Sequence, residues 1–279
     1  MKTRIVDLGR ARTLNLADYP GETECVIALH GLTGNCLQLR HYCEALSPRY
    51  HVIAPDLRGR GDSGCGSSPS SLWEHQMDIV DLISTLRLHD VILMGYSMGA
   101  FISALVASQI EVKGLILLDG AGEMSEHQNE IVEPTFSRLS AHFSSLEEYV
   151  ETVVGRYGKM GIPDSEKLRE TVAYEVKKVG DHWENKGSEA VIREDWSSFW
   201  RFHIEDIGSH IHCPSLLVEA SGAVGTLGPL FFPGSYVKTK NALGDLTVRC
   251  SDASHYTMVF EKRDDIQTFL EEYLREHQL

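Results

Sequence analysis

Residues 95–99 read Gly95-Tyr96-Ser97-Met98-Gly99, between the apolar run VILM (91–94) and the stretch AFISALVASQI (100–110). A short apolar run followed by a longer one indicates a buried strand that leads into a helix. Glycines on both sides of Ser97 allow a sharp, strained turn. The helix that follows directs free N–H groups and a positive dipole end back at the serine. The pattern therefore predicts a nucleophile at the carboxyl end of a strand.

Short apolar runs elsewhere predict the other strands of the same sheet. Besides VILMG (91–95), the candidates are CVIAL (25–29), HVIAP (51–55), GLILL (114–118), SLLVE (215–219) and DLTVRC (245–250). Several are continuously apolar, as strands buried on both faces are. Helical patterns lie between them, notably at 72–87 and 261–276. This alternation predicts an α/β fold with a mostly parallel twisted sheet and helices on both faces.

Composition restricts the kinds of partner. The 279 residues carry a formal net charge of −14, which disfavours nucleic acid and anionic membranes as partners. The six cysteines show neither a CxxC pair nor a zinc-type spacing, so no metal site is expected. The first twenty residues contain scattered charges and no unbroken apolar core, and no apolar stretch approaches ~18 residues. The expected location is the cytoplasm.

The strand and helix alternation stops in the middle of the chain. Residues 120–212 are polar and helix-patterned, with 18 Asp and Glu against 10 Lys and Arg. A string of ordinary crossover helices is the alternative, but a crossover needs only ~10–12 residues. We predict an all-helical insertion at 121–210 within a core formed by 1–120 and 211–279.

Two of the thirteen histidines occupy informative positions. His255 follows the last strand candidate and precedes the last helix, so its loop opens at the same sheet edge as Ser97. We predict that His255 is the base that activates the serine. His30 ends the strand CVIAL. It is expected to brace the loop that follows, while Gly31 lets backbone N–H groups approach an oxyanion.

These stretches together resemble the α/β-hydrolase fold family. The matching residues are His30-Gly31, DLRGRGDSG (56–64), Gly95-Tyr96-Ser97-Met98-Gly99 and His255, in the family's order. The resemblance implies an oxyanion hole formed by the N–H groups of Met98 and Leu32. It also implies that the insertion is a cap over the pocket. No cofactor is implied.

The acid partner of His255 is not where the resemblance predicts it. Most family members carry an Asp a few residues beyond the seventh strand, and the matching position in PSLLVEASGA (214–223) is Ala223. Some members place the acid at the end of the sixth strand, which is Asp119 here. We predict a Ser97, His255 and Asp119 triad. Glu219 is the second candidate and Glu123 the third.

The resemblance predicts a cofactor-free serine hydrolase that cleaves a small carboxylic ester, lactone or amide through an acyl-enzyme on Ser97. Hydrolysis of a C–C bond, a receptor-like ligand-binding role and perhydrolase chemistry are the alternatives. The substrate is expected to be a small, partly apolar molecule. Four insertion arginines carry the charge that a substrate carboxylate needs, but they are expected in surface ion pairs instead: Arg138, Arg156, Arg193 and Arg201. No substrate-binding residue is assigned. The insertion aromatics, which are expected to form mainly the core of the cap, are Phe136, Phe143, Tyr149, Tyr157, Trp183, Trp196, Phe199, Trp200 and Phe202.

Overall fold

The computed structural model describes residues 1–66 and 69–279. Its strands are β1 (Lys2–Gly9), β2 (Arg12–Tyr19), β3 (Cys25–Leu29), β4 (His51–Pro55), β5 (Ile92–Tyr96), β6 (Gly114–Leu118), β7 (His142–Phe143), β8 (Val176–Val179), β9 (His182–Asn185), β10 (Ser215–Gly222) and β11 (Leu246–Ser254). Its α-helices are α1 (Arg40–Leu46), α2 (Leu72–Thr85), α3 (Met98–Gln109), α4 (Glu126–Phe136), α5 (Leu146–Lys159), α6 (Glu166–Tyr174), α7 (Glu189–Ser198), α8 (Ile204–Ile207), α9 (Val237–Ala242), α10 (Thr257–Phe260) and α11 (Asp264–Glu276). Within these two ranges, every helix is too short or too polar to cross a lipid bilayer.

The central sheet has eight strands in the order β1-β2-β4-β3-β5-β6-β10-β11. From β4 to β11 each neighbouring pair is parallel, whereas β1 pairs with β2 and β2 pairs with β4 in antiparallel fashion. The predicted mostly parallel sheet is therefore confirmed. Parallel strands share one carboxyl edge, so the residues that follow β5, β6 and β11 meet there.

Alternate residues of the central strands pack into two separate cores. Ile27 and Leu29 of β3 face the core that contains α2 and α3, while Val26 faces the core that contains α1 and α11. Period-two alternation sends successive side chains to opposite faces of a sheet. Because both faces are covered, the strands are apolar at almost every position, which is why they could be recognised in the sequence.

The β1–β2 hairpin at the sheet edge was not predicted. Most side chains of Lys2–Gly9 are exposed, and the hairpin turns through Arg10 and Ala11, both at positive φ. An edge strand needs only one buried face and tolerates charged residues. Its charged sequence therefore lacks the apolar run that marks the inner strands.

The segment between β6 and β10 contains helices α4 to α8 and also a small sheet. Strands β7, β9 and β8 form this sheet in antiparallel pairs. The prediction of an all-helical insertion is therefore wrong. The strands HF, VKKV and HWEN are two to four residues long and mostly polar, so they give no apolar run or alternation to detect. The division into a core and a cap at 121–210 stays a prediction.

The turn from β5 into α3 has very little space. Ser97 adopts φ 52° and ψ −119°, a conformation that L-residues rarely adopt. A Cβ on Gly95 would lie 2.1 Å from the carbonyl oxygen of Gly99, and one on Gly99 would lie 2.1 Å from that of Leu29. Glycine at both positions therefore lets the start of α3 pack directly against β3 and β5.

We expect Gly99→Ala to destabilise the protein. Alanine favours helices over glycine by about 1 kcal/mol, but overpacking against the Leu29 backbone costs about 1–3 kcal/mol or more. The matched control is Gly155→Ala, on the exposed face of α5, where an added Cβ meets nothing within 4 Å. Urea unfolding should show a loss of stability for the first variant and a small gain for the second. A gain for Gly99→Ala would contradict the packing described here.

Candidate active site

Three side chains predicted from the sequence come together at the carboxyl edge of the sheet. Ser97 follows β5, Asp119 follows β6 and His255 follows β11. His255 Nε2 lies 3.1 Å from Ser97 Oγ, and His255 Nδ1 lies 2.7 Å from Asp119 Oδ2. Asp119 and His255 are buried, whereas Ser97 is half-buried. The serine is thus the member of this chain of contacts that a solute reaches.

The hydrogen bonds around His255 fix its tautomer. An ionised carboxylate only accepts, so His255 Nδ1 carries the proton that it donates to Asp119. The lone pair of Nε2 then faces the Ser97 hydroxyl and can accept its proton. The Tyr96 hydroxyl donates to the His255 carbonyl oxygen at 2.8 Å, and the two rings lie 4.8 Å apart. These contacts hold the imidazole between its two partners.

Asp119 is held by more than the histidine. Its Oδ1 accepts a hydrogen bond from the Ala220 N–H at 3.0 Å and another from the Tyr236 hydroxyl at 2.8 Å. Burial raises the pKa of Tyr236 well above its usual value, and the nearby Asp119 charge adds to this, so the tyrosine stays a proton donor. With His255, three donors thus contact a carboxylate that is fully shielded from water.

The other two acid candidates have different partners. Glu219 forms an ion pair with Lys240, with Oε1 2.6 Å from Nζ. Glu123 pairs with Lys238 at 2.7 Å. The carboxylate that contacts His255 follows β6 and not β10. The catalytic role of Asp119 remains a prediction, but among these three it alone has the geometry for that role.

His30 joins two loops at the same edge. Its Nδ1 donates to the Gly31 carbonyl oxygen at 2.7 Å, and its Nε2 accepts from the Leu57 N–H at 2.9 Å. Burial lowers the pKa of His30 to about 3, so the ring is neutral and can do both. In a trans peptide the carbonyl and the next N–H point in opposite directions. His30 therefore fixes the direction of the Leu32 N–H.

The two predicted oxyanion donors lie beside the serine. Leu32 lines the cavity that contains Ser97. Met98 directly follows Ser97 and is the first residue of α3, where N–H groups have no partner inside the helix. The Gly31 N–H, in contrast, is occupied by the Gln38 side chain at 2.8 Å. Leu32 and Met98 are thus placed as the prediction requires, and their role as donors stays a prediction.

The cavity above Ser97 is small and partly walled by the insertion. It measures about 40 Å³, and Val132 and Thr135 of α4 form one side. Its other lining residues include Gln38 and Tyr256, which the sequence reasoning did not identify. Within the described residues, no insertion aromatic lines this cavity. Several of them pack against the core and not in a separate cap core, since Phe199 and Phe202 both contact Phe101 of α3 with ring centroids 4.9 Å apart.

The prediction of surface ion pairs is wrong for three of the four insertion arginines. Within the described residues, Arg156 is exposed and donates to the Ser137 hydroxyl at 3.3 Å, and Arg201 lies over the Trp73 ring at 5.1 Å, without an ion pair in either case.

Arg138 is buried, not on the surface. It contacts Glu175 at 3.4 Å and donates to the carbonyl oxygens of Thr135 at 3.0 Å and Thr33 at 3.4 Å. Arg193 is exposed and paired with Glu189, as expected. The side chain of Arg138 is therefore occupied by the protein itself.

A possible metal-ligating cluster lies on the small sheet. The ligating atoms of His142, His182 and Glu184 all lie within 4.8 Å of one another, and zinc favours such ligands. The two imidazole rings stack at 4.2 Å, and Glu184 also pairs with Lys177 at 3.4 Å. None of these residues lines the Ser97 cavity. We assign no metal to the reaction, and the expected absence of a metal stays a prediction.

The depressed pKa of His30 makes stability depend on pH. The unfolded chain takes up a proton on His30 below about pH 6.5, whereas the folded protein does not until about pH 3. The free energy of unfolding therefore falls by about 1.4 kcal/mol for each pH unit as the pH falls through this window. When the free energy of unfolding is measured with a denaturant between about pH 6 and 5, it should depend less steeply on pH for His30→Asn than for the wild type. Equal slopes would contradict a buried neutral His30.

Comparison with known proteins agrees with this architecture. A family model described as alpha/beta hydrolase fold matches residues 24–262. A 2-(acetamidomethylene)succinate hydrolase of Mesorhizobium japonicum is 29% identical over 157 residues, which are 56% of this chain and 56% of that protein. An (E)-2-((N-methylformamido)methylene)succinate hydrolase of Acinetobacter baylyi is 24% identical over 232 residues, 79% of this chain and 80% of the other.

Solved structures show the same fold. The crystal structure of E-2-(acetamidomethylene)succinate hydrolase matches with a TM-score of 0.84 and 22% identity, covering 98% of this chain and 99% of that one. The sequence match to the first curated relative spans only a little over half of its length. The family model, however, extends from the start of β3 almost to α11 and includes both Ser97 and His255. The chain therefore belongs to the α/β-hydrolase fold family.

Proposed function

We propose that this protein is a cofactor-free serine hydrolase that cleaves a small carboxylic ester, lactone or amide through an acyl-enzyme on Ser97. The observation that carries the proposal is the continuous chain of contacts from Ser97 Oγ through the His255 ring to the Asp119 carboxylate. A serine hydroxyl is a weak nucleophile until a base takes its proton. His255 is in hydrogen-bond contact with that hydroxyl.

In the first half of the reaction, Ser97 Oγ attacks the substrate carbonyl carbon while His255 Nε2 accepts the hydroxyl proton. The carbonyl oxygen becomes an oxyanion, which the N–H groups of Leu32 and Met98 stabilise. Each such donor is typically worth ~10²–10³ in rate. The imidazolium of His255 then protonates the leaving alcohol or amine as its bond to the carbonyl carbon breaks. Asp119 remains ionised and stabilises the imidazolium.

In the second half, water replaces the leaving group. His255 accepts a proton from the water, whose oxygen attacks the acyl carbon and forms a second oxyanion. Collapse of this intermediate breaks the bond to Ser97 Oγ, and His255 returns the proton to the serine. The products are a carboxylic acid and the free alcohol or amine, so the cycle needs no redox partner.

The relatives support the inclusion of amides in the substrate class. Both curated relatives described above are named as hydrolases of a succinate that carries an acetamidomethylene or (N-methylformamido)methylene group. Each of these groups contains an amide bond, which an acyl-enzyme mechanism can cleave.

Binding of a drug-sized substrate beside Ser97 requires a change at the insertion, because the present cavity is too small for one. Sites for drug-sized ligands occupy about 300–1,000 Å³, whereas the cavity here measures about 40 Å³. We propose that α4, which contributes Val132 and Thr135 to the wall, moves outward to admit the substrate. The same small cavity is compatible with a second candidate, a ligand-binding protein of this fold with weak turnover.

Hydrolysis of short p-nitrophenyl esters tests the proposal. We expect wild-type turnover and a loss near ~10⁴ in kcat for Asp119→Asn, since a wrong tautomer of the histidine cannot accept the serine proton. The matched control is Glu219→Gln, which removes a carboxylate at the same sheet edge that is paired with Lys240. Its kcat should stay close to that of the wild type.

Other outcomes would contradict the proposal in different ways. A collapse of activity in Glu219→Gln with an active Asp119→Asn would place the acid after β10. Wild-type protein that binds but does not turn over short esters, lactones or amides would favour the ligand-binding candidate.

A further inference from the structure

Arg60 is a buried residue of the DLRGRGDSG stretch to which the proposed reaction assigns no role. Its side chain is almost inaccessible to solvent. Its Nε donates to the Leu32 carbonyl oxygen at 3.0 Å, and a terminal nitrogen donates to the Arg58 carbonyl oxygen at 2.8 Å. The other terminal nitrogen lies 4.0 Å from Met98 Sδ. Arg60 thus contacts both residues whose N–H groups are the predicted oxyanion donors.

The charge of Arg60 is balanced from the insertion. Asp195 of α7 is fully buried, and its Oδ2 lies 2.5 Å from Arg60. The same carboxylate accepts from the Ser70 hydroxyl at 2.6 Å and contacts His75 Nε2 at 2.9 Å. Burial pushes the pKa of Asp195 upward, but His75 and Arg60 more than offset this and hold the pKa below its usual value. Asp195 is therefore an ionised partner for Arg60.

Leu32 is held on both sides by these contacts. On its N-terminal side, His30 holds the Gly31 carbonyl, which belongs to the same peptide plane as the Leu32 N–H. On its C-terminal side, Arg60 holds the Leu32 carbonyl. A displacement of about 1 Å at a reacting group can cost ~10² in rate. The Arg60 contact is therefore placed to affect the reaction without touching the substrate.

A second pair repeats the arrangement one residue further on. Arg138 donates to the Thr33 carbonyl oxygen at 3.4 Å and is paired with Glu175 of the insertion. Two successive carbonyls of the loop thus accept from buried arginines, and each arginine is neutralised by an insertion carboxylate. The Arg60 contact is the shorter of the two and carries the inference.

We infer that Asp195 and Arg60 are positioning residues that align the oxyanion hole, because Asp195 orients Arg60 and Arg60 holds the Leu32 carbonyl, on the opposite side of the residue from its N–H. The inference rests on the proposed serine hydrolase function. It adds that the oxyanion hole is aligned only when α7 of the insertion is packed against the core, with Asp195 in contact with Arg60. A substrate that displaces the insertion on entry would then meet a complete hole only after the insertion closes.

A sulfur substitution in the substrate separates this role from plain structural support. p-Nitrophenyl acetate is compared with its thiono analogue, in which sulfur replaces the carbonyl oxygen and accepts hydrogen bonds poorly. An aligned oxyanion hole hydrolyses the oxygen substrate faster than the thiono substrate, whereas a substitution that disturbs another part of the site slows both substrates alike. We expect Asp195→Asn to lower the oxo-to-thiono ratio of kcat/KM by about tenfold or more. This effect should be smaller than the ~10²–10³ that loss of a whole oxyanion donor typically costs. KM should change little.

Two further variants keep the test decisive if Asp195→Asn does not fold. Replacing both members of a buried ion pair leaves no unpaired charge and is often tolerated. Arg60→Met combined with Asp195→Leu should therefore still show the lowered ratio, although Ser70 and His75 lose an acceptor in this variant. The matched control is Arg58→Met combined with Asp78→Leu. That pair is equally buried, with Arg58 Nε 2.6 Å from Asp78 Oδ2, but belongs to the core. Its ratio should equal that of the wild type.

The outcomes distinguish this inference from the proposed function. A folded Arg60 and Asp195 double variant with the wild-type ratio overturns the inference and leaves the hydrolase proposal intact. An equal fall in the control pair also overturns it, because the effect would then be general. A wild-type protein that hydrolyses neither substrate overturns both, as the ratio presupposes turnover at Ser97.

Discussion

The close approach of α3 to the central strands is the constraint on which the site depends. Ser97 can hold φ 52° because Gly95 and Gly99 leave room for the helix to start directly beside β3. The Ser97 N–H bonds the Leu118 carbonyl oxygen at 3.0 Å, so the strained turn is tied to the end of the next strand. The contacts at the carboxyl edge converge on this fixed hydroxyl, with the Asp119 carboxylate after β6 and the His255 ring after β11.

The position of the acid follows from the same edge. Asp119 lies directly beyond β6 at φ 43°, and its N–H bonds the Val218 carbonyl oxygen of β10 at 2.9 Å. The backbone of β10 therefore fixes Asp119, and the Ala220 N–H in turn donates to its carboxylate. If Asp119 is the triad acid, as proposed, no acidic residue is needed after β10, and Ala223 can occupy the position where the family resemblance places an aspartate.

The sequence was sufficient where a pattern is local and insufficient where a contact is distant. The apolar inner strands and the Gly95 to Gly99 turn are visible in short stretches, and Asp119 follows once Ala223 is recognised as unsuitable. Tyr236, which bonds Asp119 across 117 positions, belongs to a stretch without a recognisable motif. The pairing of Arg60 with Asp195 spans 135 positions and is equally invisible. The polar strands β7 to β9 gave no signal because their residues suit an exposed loop as well as a strand.

The most direct test of the central claim is covalent labelling of Ser97 by a fluorophosphonate, followed by intact-mass and peptide analysis. A serine activated by His255 and Asp119 should take up one adduct, on the peptide that contains Ser97, and Ser97→Ala should take up none. Labelling needs no knowledge of the natural substrate, and it reads the nucleophile itself. An unmodified wild-type protein, or an adduct on another residue, would contradict the account of Ser97 as the activated nucleophile.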